Sequence, residues 1–155
     1  MKKFFTTIAL GLLCMATMTA QEKKSNKTAD AIVGNYESVQ GGEPFKVSIT
    51  KNSNGSYKAQ IYWIADSIDK STGKIKLDAK NPEKSLRNTP SNRIVLFDGL
   101  KYNAEKQQWD GTKIYDPQRG LKANVNGSFQ SDGRLMLKGT IMGIGEKVYW
   151  KPIKK

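Results

Sequence analysis

The strongest constraint on this chain is a period-two alternation of apolar residues, repeated in segment after segment from about residue 33 onward. Successive side chains of a strand point to opposite faces, so such alternation marks strands with one buried face. In FKVSIT, Phe45, Val47 and Ile49 share a face. In YKAQIYWI the shared face carries Tyr57, Ala59, Ile61 and Trp63. LKANVNGSF places Leu121, Ala123, Val125, Gly127 and Phe129 together, and LMLKGTI does the same with Leu135, Leu137, Gly139 and Ile141. Near the C-terminus Val148 and Trp150 point one way and Tyr149 the other. Turn chemistry falls between the runs: GGEP, NSNG, DG at 98–99 and SDG at 131–133.

This spacing predicts about eight strands, near 33–39, 45–51, 56–64, 92–97, 107–115, 120–129, 134–141 and 146–151. Most connections are short, so sequence neighbours should pair as antiparallel hairpins. Eight strands with one apolar face form an up-and-down barrel or a two-sheet sandwich. The regular meander favours the barrel, and closure removes exposed edges. The expected fold class is therefore all-β, a single antiparallel up-and-down barrel. One segment breaks the rhythm: residues 66–91 are far longer than a hairpin needs, and loops of that length are usually functional or disordered. Within it NPEKSLR has the grammar of a helix start, with Asn81 as N-cap, Pro82 at the first position and Glu83 in the first turn. A helix of one or two turns there would cover one barrel mouth.

The N-terminus reads differently. MKK is basic, FFTTIALGLLCMA is apolar but shorter than the about 20 residues a membrane helix needs, and TMTA ends on a small residue. Residues 1–20 are expected to be a secretory signal peptide cut near Ala20, which places the mature protein in the periplasm or outside the cell. Leu13 precedes Cys14 where a lipidation site wants a small residue, so Cys14 reads as an ordinary residue of the discarded peptide. Residues 21–30, polar and aperiodic, are expected to be a flexible leader, and 31–155 to form one domain.

Composition narrows the chemistry. The chain has no His, and the mature part has no Cys. The commonest general base, the commonest metal ligand and the thiol nucleophile are all missing, so no catalytic residue, metal or cofactor is assigned. The whole chain carries 26 Lys and Arg against 14 Asp and Glu, net +12; removing Lys2 and Lys3 with the signal peptide leaves +10. The lysines are scattered rather than clustered with aromatics, which argues against nucleic acid as a partner. An anionic envelope surface is the partner such a charge could meet. Carboxylate pairs such as Asp66 with Asp69, or Asp110 with Asp116, have no spacing that singles them out.

The densest motif is WDGTKIYDPQRGLKANV, residues 109–125. Asp116 can accept from backbone N–H groups two or three residues on, Pro117 presets φ, and Gly120 supplies a positive φ, so these three read as a structural turn. Trp109 and Tyr115, six residues apart, fall on one face of an unbroken strand and read as barrel lining. Arg87, Arg93 and Arg119 lie in or beside the motif regions, and an arginine at the mouth could hold an anionic head group. The competing reading of Arg87 is a pairing with Asp78 or Asp116.

NPEKSLR, then GL, then WDGTKIYDPQRG, then an L-x-L-K-G strand and a terminal Trp resemble the family known as domain of unknown function 2147, small exported bacterial proteins. The matching positions are Asn81, Pro82, Leu86 and Arg87, and Trp109, Gly111, Ile114, Tyr115, Asp116, Pro117 and Gly120, within a resemblance covering about 33–151. Glu83 and LKANV depart from the family's pattern. The resemblance implies a single β-rich exported domain and no particular activity. Gly34-Asn35-Tyr36 on the first strand and Lys151 on the last also resemble the start and close of lipocalin and fatty-acid-binding barrels, whose first-strand ring packs against a last-strand cation. Together these imply a protein that binds a small hydrophobic or amphipathic ligand, with Trp63, Trp109, Tyr115 and Phe129 as lining and Arg87 or Arg119 at the mouth. The alternative is a non-catalytic envelope module whose barrel is filled by its own side chains.

Overall fold

Each apolar alternation becomes a strand, and the strands close into a ring. The computed structural model describes residues 23–154; the expected signal peptide and its cleavage site lie outside them. The strands are β1 Gly34–Gln40, β2 Glu43–Lys51, β3 Tyr57–Ile64, β4 Val95–Asn103, β5 Gln108–Asp116, β6 Leu121–Phe129, β7 Leu135–Ile141 and β8 Ile144–Pro152. Each pairs antiparallel with the next, and β8 returns to β1 through Tyr36 opposite Pro152 and Glu37 opposite Lys151, closing an eight-stranded up-and-down barrel. The hairpin turns after β1, β5 and β7 and the long connection after β3 share one end, the mouth; the turns after β2, β4 and β6 share the other.

The DG at 98–99, expected as a turn, lies inside β4. Gly99 has φ 83, and the β3–β4 register slips between Tyr57 opposite Leu100 and Ala59 opposite Phe97. An extra residue absorbed by a positive-φ glycine is a β-bulge, so β4 bends and continues to Asn103. The long connection holds two three-residue 3-10 turns, Lys84–Leu86 and Ser91–Arg93, rather than an α-helix starting at Pro82. Asn81 instead closes a side-chain turn ahead of Lys84–Leu86: its Oδ1 accepts from the Glu83 N–H at 2.9 Å and its Nδ2 donates to Asp78 Oδ2 at 2.7 Å. β4 pairs with β5 only from Lys101 to Asn103, next to the closed end. Towards the mouth the two strands diverge, stitched by Thr112 Oγ1 donating to Asp98 O at 2.8 Å.

The far end is sealed by the chain that precedes β1. Residues 24–30, expected in a flexible leader, are held by hydrogen bonds to the barrel. Asn26 bonds both backbone groups of Phe129, Nδ2 to the carbonyl at 3.0 Å and Oδ1 from the N–H at 2.6 Å. Tyr102 Oη donates to Asn26 O at 2.6 Å, and Trp109 Nε1 donates to Ala29 O at 2.9 Å. Asp30 accepts from Tyr57 Oη at 2.6 Å and pairs with Lys51. Buried polar groups of the barrel floor need partners, and this segment supplies them. It also corrects the expected role of Lys151. The cation over the Tyr36 ring is Lys24, 5.0 Å from its centroid, while Lys151 lies outside against Glu37.

Aromatic rings fill the closed half. Trp109 meets Phe129 edge-on at 5.7 Å and Tyr102 at 5.2 Å. Trp150 stacks on Phe97 at 6.2 Å, with Tyr36 and Phe45 at similar distances. Offset and edge-on pairs of this kind add about 0.5–1.5 kcal/mol each beyond their buried area. Asn26→Ala should cost about 1–3 kcal/mol in urea unfolding, because it strands both backbone groups of Phe129. An unchanged midpoint would mean that the leader is not part of the cooperative fold.

Candidate functional site

Above Trp150 the filling stops. A cavity of about 330 Å³ opens at the mouth, with Trp150 as its floor and Phe45, Leu96, Ile114, Ala123, Leu137 and Val148 among its walls. Its width owes much to small inward positions: Ala123 and Gly139 face inward across β6 and β7, where larger side chains would close the space. The rim combines apolar residues with one charged cluster. Arg119 Nη1 and Nη2 donate to the Glu146 carboxylate at 2.9 and 2.5 Å, and its Nε donates to Asp116 Oδ2 at 2.5 Å. This fork ties the β5–β6 turn to β8 across the mouth. The hydrogen bond from Arg119 holds the Glu146 carboxyl below its ordinary range, and the same partner, helped by Asp116, raises the guanidinium further above neutrality.

The residues singled out by sequence scatter around this cavity rather than lining it together. Trp109 and Phe129 are buried in the filled, closed half. Trp63 is on the outer surface, 42% exposed, with the Lys46 ammonium 5.1 Å from its ring. The β2–β3 register shifts between Lys46 and Val47, so Ile64 rather than Trp63 turns inward opposite Phe45. A bulge in β5 has the same effect: the register advances from Trp109 opposite Gly127 to Thr112 opposite Val125. Thr112 and Ile114 therefore face inward and Tyr115 faces outward, opposite Lys122. A one-residue slip moves every later side chain to the other face.

Tyr115 is nonetheless buried, because the long connection covers it. Its Oη donates to Asp78 Oδ1 at 2.7 Å, and loss of water contact together with this carboxylate pushes the phenol up. Lys122 beside it pairs with Glu83 of the same connection. Arg87 is exposed and bonds backwards, Nε to Asn81 O at 2.7 Å, so it pairs with neither Asp78 nor Asp116. Of the sequence-selected residues, Arg119 and Asp116 stand at the rim of the cavity, and Tyr115 borders it from the outward-facing position of its strand. Asp116 Oδ1 accepts from the Gln118 and Arg119 N–H groups at 2.9 and 3.2 Å, and Gly120 has φ 67. Pro117 lies between them, in the same turn. A Cβ on Gly120 would collide with the carbonyl of Lys80, whose ammonium reaches Gln118 O at 2.7 Å. Turn and long connection are thus fitted to each other at this residue.

The wall residues Phe45, Leu137, Val148 and Trp150 were legible as inward faces of alternating runs. Nothing in the pattern distinguished those that border empty space from those that touch a neighbour. Among the described residues no three of His, Cys, Asp and Glu gather as metal ligands.

The fold and the motifs have recognisable counterparts. A family model described as "Uncharacterized protein conserved in bacteria (DUF2147)" matches residues 34–152. No curated protein matches the chain. A solved structure, protein HP1028 of Helicobacter pylori, described as belonging to the lipocalin family, is similar with a TM-score of 0.65 at 23% identity, over 79% of this chain and 83% of that one. At that identity the likeness establishes the shared lipocalin-like fold.

Two outcomes follow from the rim. Gly120→Ala should destabilise by about 1–3 kcal/mol in urea, from the positive φ and the blocked carbonyl. In a carbon-detected NMR titration, Glu146 should ionise below its ordinary value of 4.5 and return towards it in Arg119→Gln. The folded value is the lower one, so the bridge contributes fully above the unfolded value and is lost as pH falls through the folded one. Equal titration in both proteins would break the assignment.

Proposed function

This chain belongs to the DUF2147 family, and from that premise we propose that it is an exported carrier that binds a small apolar or amphipathic molecule, tail inward, in the mouth half of its barrel. The observation that carries the reading is the about 330 Å³ apolar cavity above Trp150. Ligand pockets are typically apolar clefts of about 300–1,000 Å³ with a few placed polar groups. At about 30 Å³ for each water displaced, this one has room for roughly ten heavy atoms, a short acyl chain or a compact ring system.

The head of an amphipathic ligand would meet Arg119. That guanidinium already holds two carboxylates, so an anionic head has to compete with Glu146, whereas an uncharged polar head does not. Export is supported by the N-terminal sequence, a basic start, a short apolar run over 4–16 and an expected cleavage site near Ala20.

Mass spectrometry of an organic extract from the purified protein should reveal a stoichiometric small molecule, and a polarity-sensitive fluorescent fatty acid should bind saturably. Ala123→Phe and Val148→Phe, which grow into the cavity from different walls, should each weaken the probe at least tenfold while costing no more than about 3 kcal/mol of stability. A clean extract with no probe binding, or binding indifferent to both variants, would favour the envelope module with a filled interior.

A further inference from the structure

We propose that the mouth of the barrel docks on an anionic lipid bilayer, with the tip of the β7–β8 hairpin inserted among the lipid head groups. The inference rests on the carrier reading above, which it extends to where the ligand is exchanged. Exposed apolar residues concentrate at the mouth end. Met142 is 97% exposed, Ile144 77% and Val39 63%, and Leu121 and Ile141 are also exposed; all five border the cavity opening. Clustered apolar exposure of this kind marks an interaction surface rather than ordinary surface variation. Trp63, displaced to the outside by its bulge, lies at the mouth end of β3 beside Lys46, an aromatic and cationic pairing suited to a membrane–water interface.

The hairpin tip carries a second, independent signal. Ile141 pairs with Ile144, leaving a two-residue turn in which both Met142 and Gly143 have positive φ, 49 and 83. Such a turn favours Asn, Asp or Gly at its first central position. A methionine there is unfavourable for the backbone and unfavourable for its side chain in water. Local folding preferences do not account for it, whereas burial of a flexible apolar side chain in a head-group layer does.

Charge identifies the occupant. Three residue pairs below Ile141 and Ile144 on the same hairpin, Lys138 and Lys147 stand directly opposite each other, like charges in one cross-strand pair. Among the described residues neither has an ion-pair partner. The Lys138 stem runs over Gly145 towards the tip, its Cε 2.7 Å from where a Cβ would stand. A second copy of this net-positive chain would bring four such lysines together, while lipid phosphates would neutralise them. Apolar insertion plus adjacent lysines is the arrangement by which peripheral proteins hold anionic bilayers.

The protein should co-sediment with vesicles of phosphatidylglycerol and phosphatidylethanolamine, and weakly or not at all with phosphatidylcholine, and raised salt should release it. Met142→Ser with Ile144→Ser should abolish sedimentation. Lys138→Gln with Lys147→Gln should weaken it roughly 25-fold, about fivefold per lysine, and leave the solution affinity for the fluorescent fatty acid unchanged, since neither lysine borders the cavity. Absence of binding to anionic vesicles, or binding indifferent to the tip, overturns the proposal. So does light scattering that shows a dimer dispersed by the tip substitutions, which would make the lip a subunit contact. Probe binding in solution without vesicle binding would overturn the docking surface alone; vesicle binding without probe binding would overturn the carrier reading alone.

Discussion

The indole of Trp150 sets the division on which the rest of the barrel depends. Stacked on Phe97 and edged by Phe45, with Tyr36 beside it, it forms a solid layer across the interior. Below it, Trp109, Phe129 and Tyr102 occupy the space, and the segment before β1 accepts hydrogen bonds from the Trp109 indole and the Tyr102 hydroxyl. Above it, small residues such as Ala123 and Gly139 leave the interior open. An eight-stranded ring is just wide enough for side chains to fill it or for one small ligand to be held. This chain does the first in one half, and its other half has the space for the second.

Two of the bulges shape the mouth. A bulge in β3 turns Trp63 outward and brings Ile64 in; a bulge in β5 turns Tyr115 outward and brings Ile114 in. Each exchanges a large aromatic for a smaller aliphatic residue on the inner face near the mouth. Had the alternation run unbroken, two large aromatic side chains would have pointed into the barrel near its mouth. Instead Tyr115 becomes the anchor for the long connection through Asp78, and that connection lies against the β5–β6 turn where Lys80 meets Gly120. The bulges thus link an open interior to an ordered external cover.

The same end collects the features that a buried core would not choose: the doubly paired Arg119, the exposed Met142 and Ile144, and the facing lysines Lys138 and Lys147. The closed end, by contrast, has its polar groups matched and its rings packed. The packed rings and matched polar groups are thus concentrated at one end of the barrel axis and the open space and exposed groups at the other.

By itself the sequence determined the all-β meander and favoured the barrel. Period-two alternation marked the strands and short turns marked antiparallel neighbours, both of them local or nearly local terms, and the removal of edges favoured closure over a sandwich. The Asp116 turn and the inward faces of Phe45, Leu137 and Trp150 were legible for the same reason. Tertiary structure alone decided which way Trp63 and Tyr115 point, because a bulge is one extra residue whose only trace is a register slip against a partner strand. It alone placed residues 24–30 across the floor, because a polar segment shows no periodicity until the donors it will satisfy are brought to it. It alone left space above Trp150, because the empty volume is the difference between the ring's size and the summed side chains, and no stretch of sequence carries that difference.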